Sequence, residues 1–427
     1  MLQKVLTLEV WDGRVAVAQL EKSWRGIGLM DGLVLDLPPD VKNVRSIARY
    51  TAERVQEAGF SWDRVVLGLG PNRAHMQKLD FPFSSRQKIE RALPGEMSAS
   101  LSMNSEEFLF DAYILGETPE GMCRVLAAAI PRSTIEQWSR TLRDFGLEPD
   151  RIDLVPSSLA ELGSRIPSEN RNACIVVWQL GRTRSAVVFL RNGRLEHIDG
   201  FWTGTEDLAR VLADRTGNSR EEARKGIERG KYLQPVSDSE ETSSCEQNTV
   251  LSECARIARD ELTRSIRRFR QKKPNARVEK VVLTGKGARW SGLATAIETQ
   301  SGMALTVAQN VSLPFDTANV ENNKIPEVAS AACLALKARQ RASGWNFRKK
   351  EAALGFNKGW GRFAQNIGVG MGILLLCVAI TLTFHLWLKN LEMQRGRDQA
   401  GTVLLQKDKA SKPSSSLGPA QYLSAIG

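Results

Sequence analysis

A glycine turn between two apolar segments is the first candidate for chemistry in this sequence. Residues Val278–Ile297, VEKVVLTGKGARWSGLATAI, have the pattern of a strand, a glycine turn and the start of a helix. Gly285 and Gly287 allow positive φ and close backbone approach, and the free N–H groups of a helix starting near Ser291 would attract an anion. Lys286, between the glycines, would either bind a phosphate or point into solvent. The pattern predicts a nucleotide cradle, and the alternative is a tight turn without a ligand.

Two further stretches share one pattern with each other. LTLEVWDGRVAVAQL surrounds Glu9, and IVVWQLGRTRSAVVFL surrounds Gln179. In each, an apolar strand carries a polar residue, turns at a glycine (Gly13 or Gly181) and continues as a second apolar strand, which is typical of a β-hairpin. Two halves that each open with a hairpin predict two α/β lobes that face each other across a cleft, where ligands tend to bind. A chance match between two ordinary hairpins is the alternative.

The composition limits the class of protein. The chain has 427 residues, 42% of them hydrophobic and 25% charged, which is ordinary for a globular protein of two or more domains. Its net charge of +11 favours acidic partners or a membrane surface. The basic residues are scattered and form no nucleic-acid-binding motif, so we expect no nucleic-acid partner. The six cysteines form no CxxC pair, which predicts reduced thiols, no disulfide framework and no metal site.

Near the other end, Ile367–Leu388 has 22 residues without a formal charge, enough to cover the roughly 30 Å of a bilayer core. This predicts a transmembrane helix; a buried core helix would need a large domain on both sides of it. The N-terminus has no signal-peptide pattern, so we expect a cytoplasmic N-terminal domain and a periplasmic tail. Gly368 and Gly372 predict a small-xxx-small dimer face in the membrane, unless they only loosen the helix.

Three polar segments of the second half are predicted to lie at its surface. Ser219–Gln234 and Cys254–Gln271 have the pattern of amphipathic helices with a solvated charged face. Between them, residues 235–249 are polar and acidic, which predicts a mobile loop.

Taken in order, these motifs resemble a known superfamily. The paired hairpins followed by LTGKGAR resemble the actin-like ATPases. More closely, Leu79–Leu101, Val125–Leu162 and Leu283–Leu293 resemble the actin-like cytoplasmic proteins of type II secretion and type IV pilus assembly. WNFRKKEAA, which starts at Trp345, resembles the membrane-proximal region of the secretion L-proteins (GspL), a family related to the pilus protein PilM.

The resemblance implies an α/β, actin-like (ribonuclease H-like) cytoplasmic domain of two lobes followed by one transmembrane helix. The implied segments are lobes at 1–165 and 166–345, a basic juxtamembrane linker at 346–366, the membrane helix at 367–388 and a short, largely disordered periplasmic tail at 389–427.

The resemblance also implies which residues form the nucleotide site. In the superfamily the hairpins hold phosphates and the late glycine turn holds the adenosine. The residues that correspond here are Glu9, Gly13, Gln179, Gly181, Gly285, Lys286 and Gly287. Hydrolytic members have an aspartate at each hairpin, which positions magnesium and the attacking water, whereas Gln179 has no charge to attract the metal. We therefore expect no hydrolysis, no required cofactor and at most weak ATP binding without turnover.

The implied function is that of an inner-membrane scaffold of a type II secretion or type IV pilus machine. Its expected partners are the cytoplasmic assembly ATPase, other inner-membrane platform subunits and a second copy of the chain. Two alternatives stay open at this point: a membrane-tethered actin-like ATPase that forms filaments, and a relative of the sugar kinases, which would need a catalytic aspartate in the cleft.

Overall fold

The computed structural model describes residues 3–24, 26–101, 104–170, 173–228, 241–337, 344–348, 376–397 and 401. The strands are β1 Gln3–Trp11, β2 Arg14–Ser23, β3 Gly26–Asp36, β4 Arg64–Leu69, β5 His75–Phe81, β6 Phe108–Glu117, β7 Cys123–Pro131, β8 Arg151–Leu154, β9 Ala173–Leu180, β10 Ser185–Arg191, β11 Arg194–Phe201, β12 Arg277–Thr284 and β13 Leu305–Val307. The helices are α1 Val44–Glu57, α2 Arg86–Leu101, α3 Arg132–Asp144, α4 Val155–Ser164, α5 Thr205–Thr216, α6 Arg220–Glu228, α7 Glu241–Lys272, α8 Leu293–Ser301 and α9 Ile325–Lys337. The chain divides into two units, Met1–Ala352 and Ala353–Gly427, and both predicted lobes belong to the first.

Two five-stranded sheets have the same topology. The first has the strand order β3-β2-β1-β4-β8 and the second has the order β11-β10-β9-β12-β13. Each begins with three antiparallel strands and continues with two parallel ones. Glu9 pairs across its hairpin with Ala16, and Gln179 pairs equivalently with Ala186. The repeated hairpins of the sequence therefore lie at equivalent positions of two related sheets, as predicted.

Helices form layers on both sides of these sheets. Helices α4 and α9 lie between the sheets in one shared core, α1 and α3 pack on the outer face of the first sheet, and α5, α7 and α8 pack on the outer face of the second. Each sheet with its outer helices is called a lobe below. The second lobe was predicted to extend to residue 345, but α9 returns to contact β1 and β2 of the first lobe and α4, which lies between the sheets. Every residue of α9 is buried. Most residues of this helix are small or apolar on all of its faces, which is typical of a helix packed on every side.

A smaller sheet of order β5-β7-β6 stands beside the first lobe and was not predicted. It packs against α2 around a separate core that includes Phe81, Leu93 and Phe110. Residues 79–101, one of the stretches that carries the family resemblance, end β5 and form α2.

The segment Gly344–Arg348, called the strap below, lies between this small sheet and the first lobe. Trp345 is fully buried and its Nε1 donates to the carbonyl of Leu126 at 3.2 Å. The backbone N–H of Phe347 donates to the carbonyl of Ile152 at 3.0 Å. The prediction of a linker from residue 346 is therefore wrong for 346–348, because Phe347 is buried and hydrogen-bonded into the first lobe. Residues 349–366 lie outside the described residues.

Two further boundaries differ from the predictions. Residues 241–249 begin α7 instead of forming a loop, since later residues of this helix, such as Leu262 and Ile266, anchor it in the core; residues 235–240 lie outside the described residues. Residues 376–397 form one helix that continues past the predicted membrane boundary at 388, because residues 389–395, apart from Asn390, are good helix formers.

The predicted membrane segment is only partly described. Residues 367–375, including Gly368 and Gly372, lie outside the described residues. Apart from the half-buried Leu391, the large apolar side chains of 376–397 are exposed, among them Leu376 and Trp387. Within the described part of the chain, no helix combines the length and the apolar character needed to cross a membrane.

Candidate nucleotide cleft

The polar residues of the two hairpins contact each other directly. Nε2 of Gln179 donates to Oε1 of Glu9 at 2.6 Å, and both side chains are buried. The hydroxyl of Ser330, on α9, donates to the other carboxylate oxygen of Glu9. Strands β1 and β9 bring Glu9 and Gln179 together because each residue lies near the end of the first strand of its sheet. Both carboxylate oxygens thus already accept a hydrogen bond from the protein.

The environment of Glu9 favours its neutral form. Burial raises the pKa of Glu9 above its ordinary value, although the hydrogen bonds from Ser330 and Gln179 and the charge of Arg14 lower it in part. Arg14 is itself engaged, since its Nη1 lies 2.8 Å from Oε2 of Glu327. A carboxyl group with a raised pKa and two protein donors is a poor ligand for magnesium.

Asp12, which was not among the predicted site residues, lies in the turn of the first hairpin and contacts the turn of the second hairpin. Its Oδ2 accepts hydrogen bonds from the backbone N–H of Thr183 at 2.7 Å and of Arg184 at 3.3 Å. Its other oxygen accepts from the hydroxyl of Thr183. Successive backbone N–H groups at a turn form a site for an anion, and here the anion is a carboxylate from the first hairpin. The only sequence signal was the Asp12–Gly13 turn, where both residues have positive φ.

The glycine turn after β12 packs against the protein itself. Gly285 has φ +83°, and a Cβ there would lie 2.9 Å from the carbonyl oxygen of Leu180. A Cβ at Gly287 would lie 2.2 Å from Cδ2 of Leu180. The close backbone approach inferred from the sequence therefore exists, but its partner is Leu180 of β9. The following helix begins at Leu293 with its N-cap at Gly292, near Ser291 as predicted, after a short 3-10 turn at Lys286–Arg289.

Lys286 forms an ion pair across the lobes. Its Nζ lies 2.6 Å from Oδ2 of Asp36 at the end of β3, and the lysine is 4% exposed. Although burial acts to raise the pKa of Asp36, the hydrogen bond and charge of Lys286 lower it overall. Lys286 therefore does not point into solvent, because it is buried and its ammonium pairs with the carboxylate of Asp36; that it binds a phosphate stays a prediction.

The predicted site residues thus lie along one interface between the lobes, where they contact protein. Gly181 is in contact with Asp12, since a Cβ at Gly181 would lie 2.6 Å from Oδ2 of Asp12. Gly13 faces Arg182, with 3.6 Å between its ideal Cβ and Nη1 of the arginine. In the described part of the chain, no three His, Cys, Asp or Glu side chains are grouped to hold a metal ion.

Comparison with known proteins identifies relatives of this fold. A family profile described as type IV pilus assembly protein PilM matches residues 23–338. The solved PilM-PilN type IV pilus biogenesis complex is similar with a TM-score of 0.63 and 20% identity, over 78% of this chain and 98% of that chain. Comparison with curated proteins gave no match.

Two more distant structures are similar at lower scores. The cytoplasmic domain of EpsL, an inner-membrane component of the type II secretion system of Vibrio cholerae, has a TM-score of 0.37 and 10% identity, over 81% of this chain and 98% of that chain. MreB 5 of Spiroplasma citri bound to AMPPNP has a TM-score of 0.43 and 8% identity, over 79% of this chain and 97% of that chain.

Proposed function

Because the chain belongs to the family of the type IV pilus assembly protein PilM, we propose that it is a docking scaffold of its assembly machine that does not turn over nucleotide. In this proposal the two actin-like lobes form a rigid platform. The platform holds the cytoplasmic assembly ATPase close to the other inner-membrane subunits.

The observation that carries the proposal is the set of contacts that fill the cleft between the lobes. Gln179 donates to Glu9, the turn at Thr183 binds Asp12, and Lys286 pairs with an aspartate of the first lobe. Each of these groups would have to release its protein partner before it could contact a phosphate or magnesium. A buried hydrogen bond that is broken without replacement costs about 1–3 kcal/mol. The loss of several such contacts therefore opposes opening of the cleft between the lobes.

A nucleotide does not fit the residues in this arrangement. Leu180 fills the space beside Gly285 and Gly287, and the donors of the second hairpin already bind Asp12. We propose that no cofactor is required and that any weak ATP binding would need the lobes to separate first.

The proposed partners and location are based on the family and on the sequence. The solved relative is a complex with PilN, and we propose that a PilN-like inner-membrane subunit contacts this chain as well. We propose that residues 367–388 anchor the chain in the inner membrane with the lobes in the cytoplasm, which would place its net charge of +11 beside anionic lipids.

Co-flotation with liposomes tests the docking role. The full chain would be reconstituted into liposomes and mixed with its cognate assembly ATPase, and the floated fraction would be assayed for the ATPase. We expect the ATPase to float only with liposomes that contain the chain. An ATPase that stays at the bottom of the gradient, in the presence and absence of the PilN-like subunit, would contradict the docking role.

A further inference from the structure

A cleft, called the basic cleft below, opens where the small sheet meets the second lobe. The end of β6 forms one wall, and the turn between β10 and β11 with the start of β11 forms the other. Its main chamber has a volume of about 440 Å³, within the roughly 300–1,000 Å³ of typical small-molecule sites. A side chamber of about 90 Å³ shares the end of β6 and Glu196 with it and extends to β5, β7 and the end of α7.

The basic cleft lies away from the nucleotide cleft. Arg191, which lines it, ends β10, whereas the turn at Thr183 that binds Asp12 comes before β10. This strand has seven residues, so about 20 Å separates the two places. None of the predicted nucleotide-site residues, all of which the structure describes, lines the basic cleft. A ligand of the basic cleft would therefore not contact the predicted nucleotide site.

Cations outnumber carboxylates in the lining of the basic cleft. Beside the carboxylates of Glu117 and Glu196, five cationic side chains line the two chambers: Lys78, Arg124, Arg191, Arg194 and Lys273. Arg191 pairs with Glu196, and Arg124 pairs with Asp80. Arg194 and Lys273 form no ion pair with a described residue. This surplus of positive charge complements an anionic ligand.

Lys78 lies among cations that the protein compensates only in part. Its Nζ donates to the backbone carbonyl of Glu196 at 2.7 Å. Desolvation of the ammonium group lowers the pKa of Lys78 to about 8. Three neighbouring cations lower this pKa further, and they are Lys272, Arg124 and Lys273. An anion bound beside Lys78 would stabilise its charged form.

A buried acceptor of the basic cleft also lacks a donor. Glu196 lines both chambers, and its Oε1 accepts from Nε of Arg191 at 2.8 Å. Its Oε2 is buried and has no hydrogen-bond partner among the described residues. Buried polar atoms without a partner are uncommon in native proteins and point to a missing group. A hydroxyl or amino group of a ligand would supply the donor.

The arrangement of the cations favours a phosphate over a carboxylate. Lys78 lies on β5, Lys273 follows α7 and Arg194 begins β11, so the three approach from different elements. A tetrahedral phosphate offers oxygens in several directions, whereas a carboxylate offers two oxygens in one plane. The main chamber is larger than a free phosphate ion needs, so it has room for the rest of a phosphate ester.

We propose that the basic cleft binds a phosphate ester that carries a hydroxyl or amino group. The phosphate lies between Lys78, Lys273 and Arg194, and the hydroxyl or amino group donates to Oε2 of Glu196. The ester is either a small phosphorylated metabolite or the headgroup of a phospholipid, since both present this chemistry. The inference goes beyond the proposed docking role and does not depend on it.

Isothermal titration calorimetry on the full chain in a non-ionic detergent tests the inference. The soluble probes are glycerol 3-phosphate, which has free hydroxyl groups, and methyl phosphate, which has none. Mixed micelles of the same detergent with phosphatidylglycerol supply the lipid headgroup. Lys78→Met removes one cation, and Lys88→Met is the matched control at an exposed lysine of α2. Circular dichroism and thermal unfolding establish that each variant is folded.

We expect Lys88→Met to bind the probes as tightly as the unmodified chain does. Binding to Lys78→Met should weaken by at least about tenfold, because a hydrogen bond between charged groups is lost. Of the two soluble probes, glycerol 3-phosphate should bind more tightly, because it can donate to Glu196. Binding of glycerol 3-phosphate would identify the ligand as a metabolite, and binding of the micelles alone would identify it as a lipid headgroup.

The pH dependence of binding distinguishes Lys78 from a general basic surface. The charged and titratable groups around it lie on the small sheet, on β11 and at the end of α7, and they are Asp80, Arg124, Glu196, His197, Lys272 and Lys273. Burial lowers the pKa of His197 to about 4, so this group stays neutral above pH 7. A phosphate monoester, whose second pKa is about 6, stays doubly charged there.

Between about pH 7.5 and about pH 9 the ammonium group of Lys78 loses its proton, because its pKa is about 8. The affinity of the unmodified chain for glycerol 3-phosphate should therefore fall by up to about tenfold over this range. Lys78→Arg keeps its charge throughout, so its affinity should stay constant.

Four results would overturn the inference: no binding of glycerol 3-phosphate or of the micelles, equal binding to Lys78→Met and Lys88→Met, tighter binding of methyl phosphate than of glycerol 3-phosphate, or an affinity of Lys78→Arg that falls with pH as steeply as that of the unmodified chain. Co-flotation of the assembly ATPase requires no phosphate ester, so the docking role and this site can fail separately.

Discussion

Gln179 donates a hydrogen bond of 2.6 Å to Glu9, and these two residues lie at equivalent positions of the two lobes. Both positions face the space between the two lobes. Here Gln179 and Ser330 donate to the two carboxylate oxygens of Glu9, so protein groups occupy the hydrogen-bonding sites of the first hairpin. The consequences for stability, packing and catalysis can each be measured.

The first prediction concerns the pH dependence of stability in Glu9→Gln. The folded pKa of Glu9 is raised above its ordinary value of 4.5 by burial, so its contribution to stability is present below that value and is lost as pH rises through the folded pKa. Glutamine is uncharged at every pH, and its amide can donate to Oε1 of Gln179, which has no partner among the described residues. The stability of Glu9→Gln relative to the unmodified chain should therefore increase from about pH 4.5 to about pH 8.

Urea unfolding at both pH values measures this difference. Asp36→Asn is the control with the opposite sign, because the pKa of Asp36 is lowered by Lys286. The carboxylate of Asp36 stabilises the fold above its ordinary pKa of 3.8, and this contribution is lost as pH falls through the folded pKa. Asp36→Asn should therefore be less stable than the unmodified chain by nearly the same amount at pH 8 and at pH 4.5, and this difference should shrink only when urea unfolding is repeated below about pH 3.8. If the difference in stability between Glu9→Gln and the unmodified chain did not change with pH, the pKa of Glu9 would not be raised in the folded protein.

The second prediction concerns Asp12. Replacing Asp12 with glycine keeps the positive φ of this position and removes the acceptor that binds the turn at Thr183. We expect a loss of about 1 kcal/mol in the free energy of unfolding, the usual worth of a partly exposed hydrogen bond. Asp12→Asn keeps one side-chain oxygen and tolerates positive φ, so it should lose less. Equal stability of the two variants in urea would mean that the carboxylate does not hold the second hairpin.

Parts of this architecture could be predicted from the sequence because their signals are local. The alternating strands around Glu9 and Gln179 predicted two hairpins, and the glycines after β12 predicted a tight turn. Their partners could not be predicted in the same way. The contact between Asp12 and Thr183 joins residues 171 positions apart, and that between Lys286 and Asp36 joins residues 250 apart. Periodicity indicates that a strand or helix exists, but it carries no information on which side chain fills a given space.

The same limit explains the errors at the boundaries. Helix α9 was predicted to belong to the second lobe because it follows that lobe in the chain. Its location between the sheets depends on contacts with β1 and β2, more than 300 residues earlier in the sequence. Residues 346–348 of the strap were predicted to belong to a linker because their neighbours are basic, although Phe347 is apolar enough to be buried.

The third prediction concerns Gly285. Alanine at this position would combine the cost of positive φ with a contact of 2.9 Å to the carbonyl of Leu180, and we expect a loss of about 1–3 kcal/mol. Gly302→Ala is the matched control, because Gly302 has φ +66° and no atom within 4 Å of its ideal Cβ. The difference between the two variants in urea measures the packing of the glycine turn on Leu180 together with the additional backbone strain at Gly285, whose ψ of −168° differs from the ψ of 10° at Gly302. Equal stability of the two variants would contradict the close contact between Gly285 and Leu180.

The fourth prediction concerns the strap. Trp345→Ala should lower the free energy of unfolding by about 3–5 kcal/mol, as expected for a fully buried aromatic residue. Trp24→Ala is the control, since Trp24 is 88% exposed and its loss should change stability by less than about 0.5 kcal/mol. Limited proteolysis should also cleave Trp345→Ala faster. Similar stability of both variants would show that the strap is not part of the folded first lobe.

ATP hydrolysis by the purified full chain tests the central claim, that the lobes form a closed scaffold and not an enzyme, most directly. The assay measures phosphate release with magnesium present, and a Glu9→Ala variant purified in parallel controls for contaminating ATPases. We predict no turnover above background for the unmodified chain, and the same value for Glu9→Ala, because Glu9 is held by Gln179 and Ser330. Turnover by the unmodified chain that is abolished by Glu9→Ala would contradict the account.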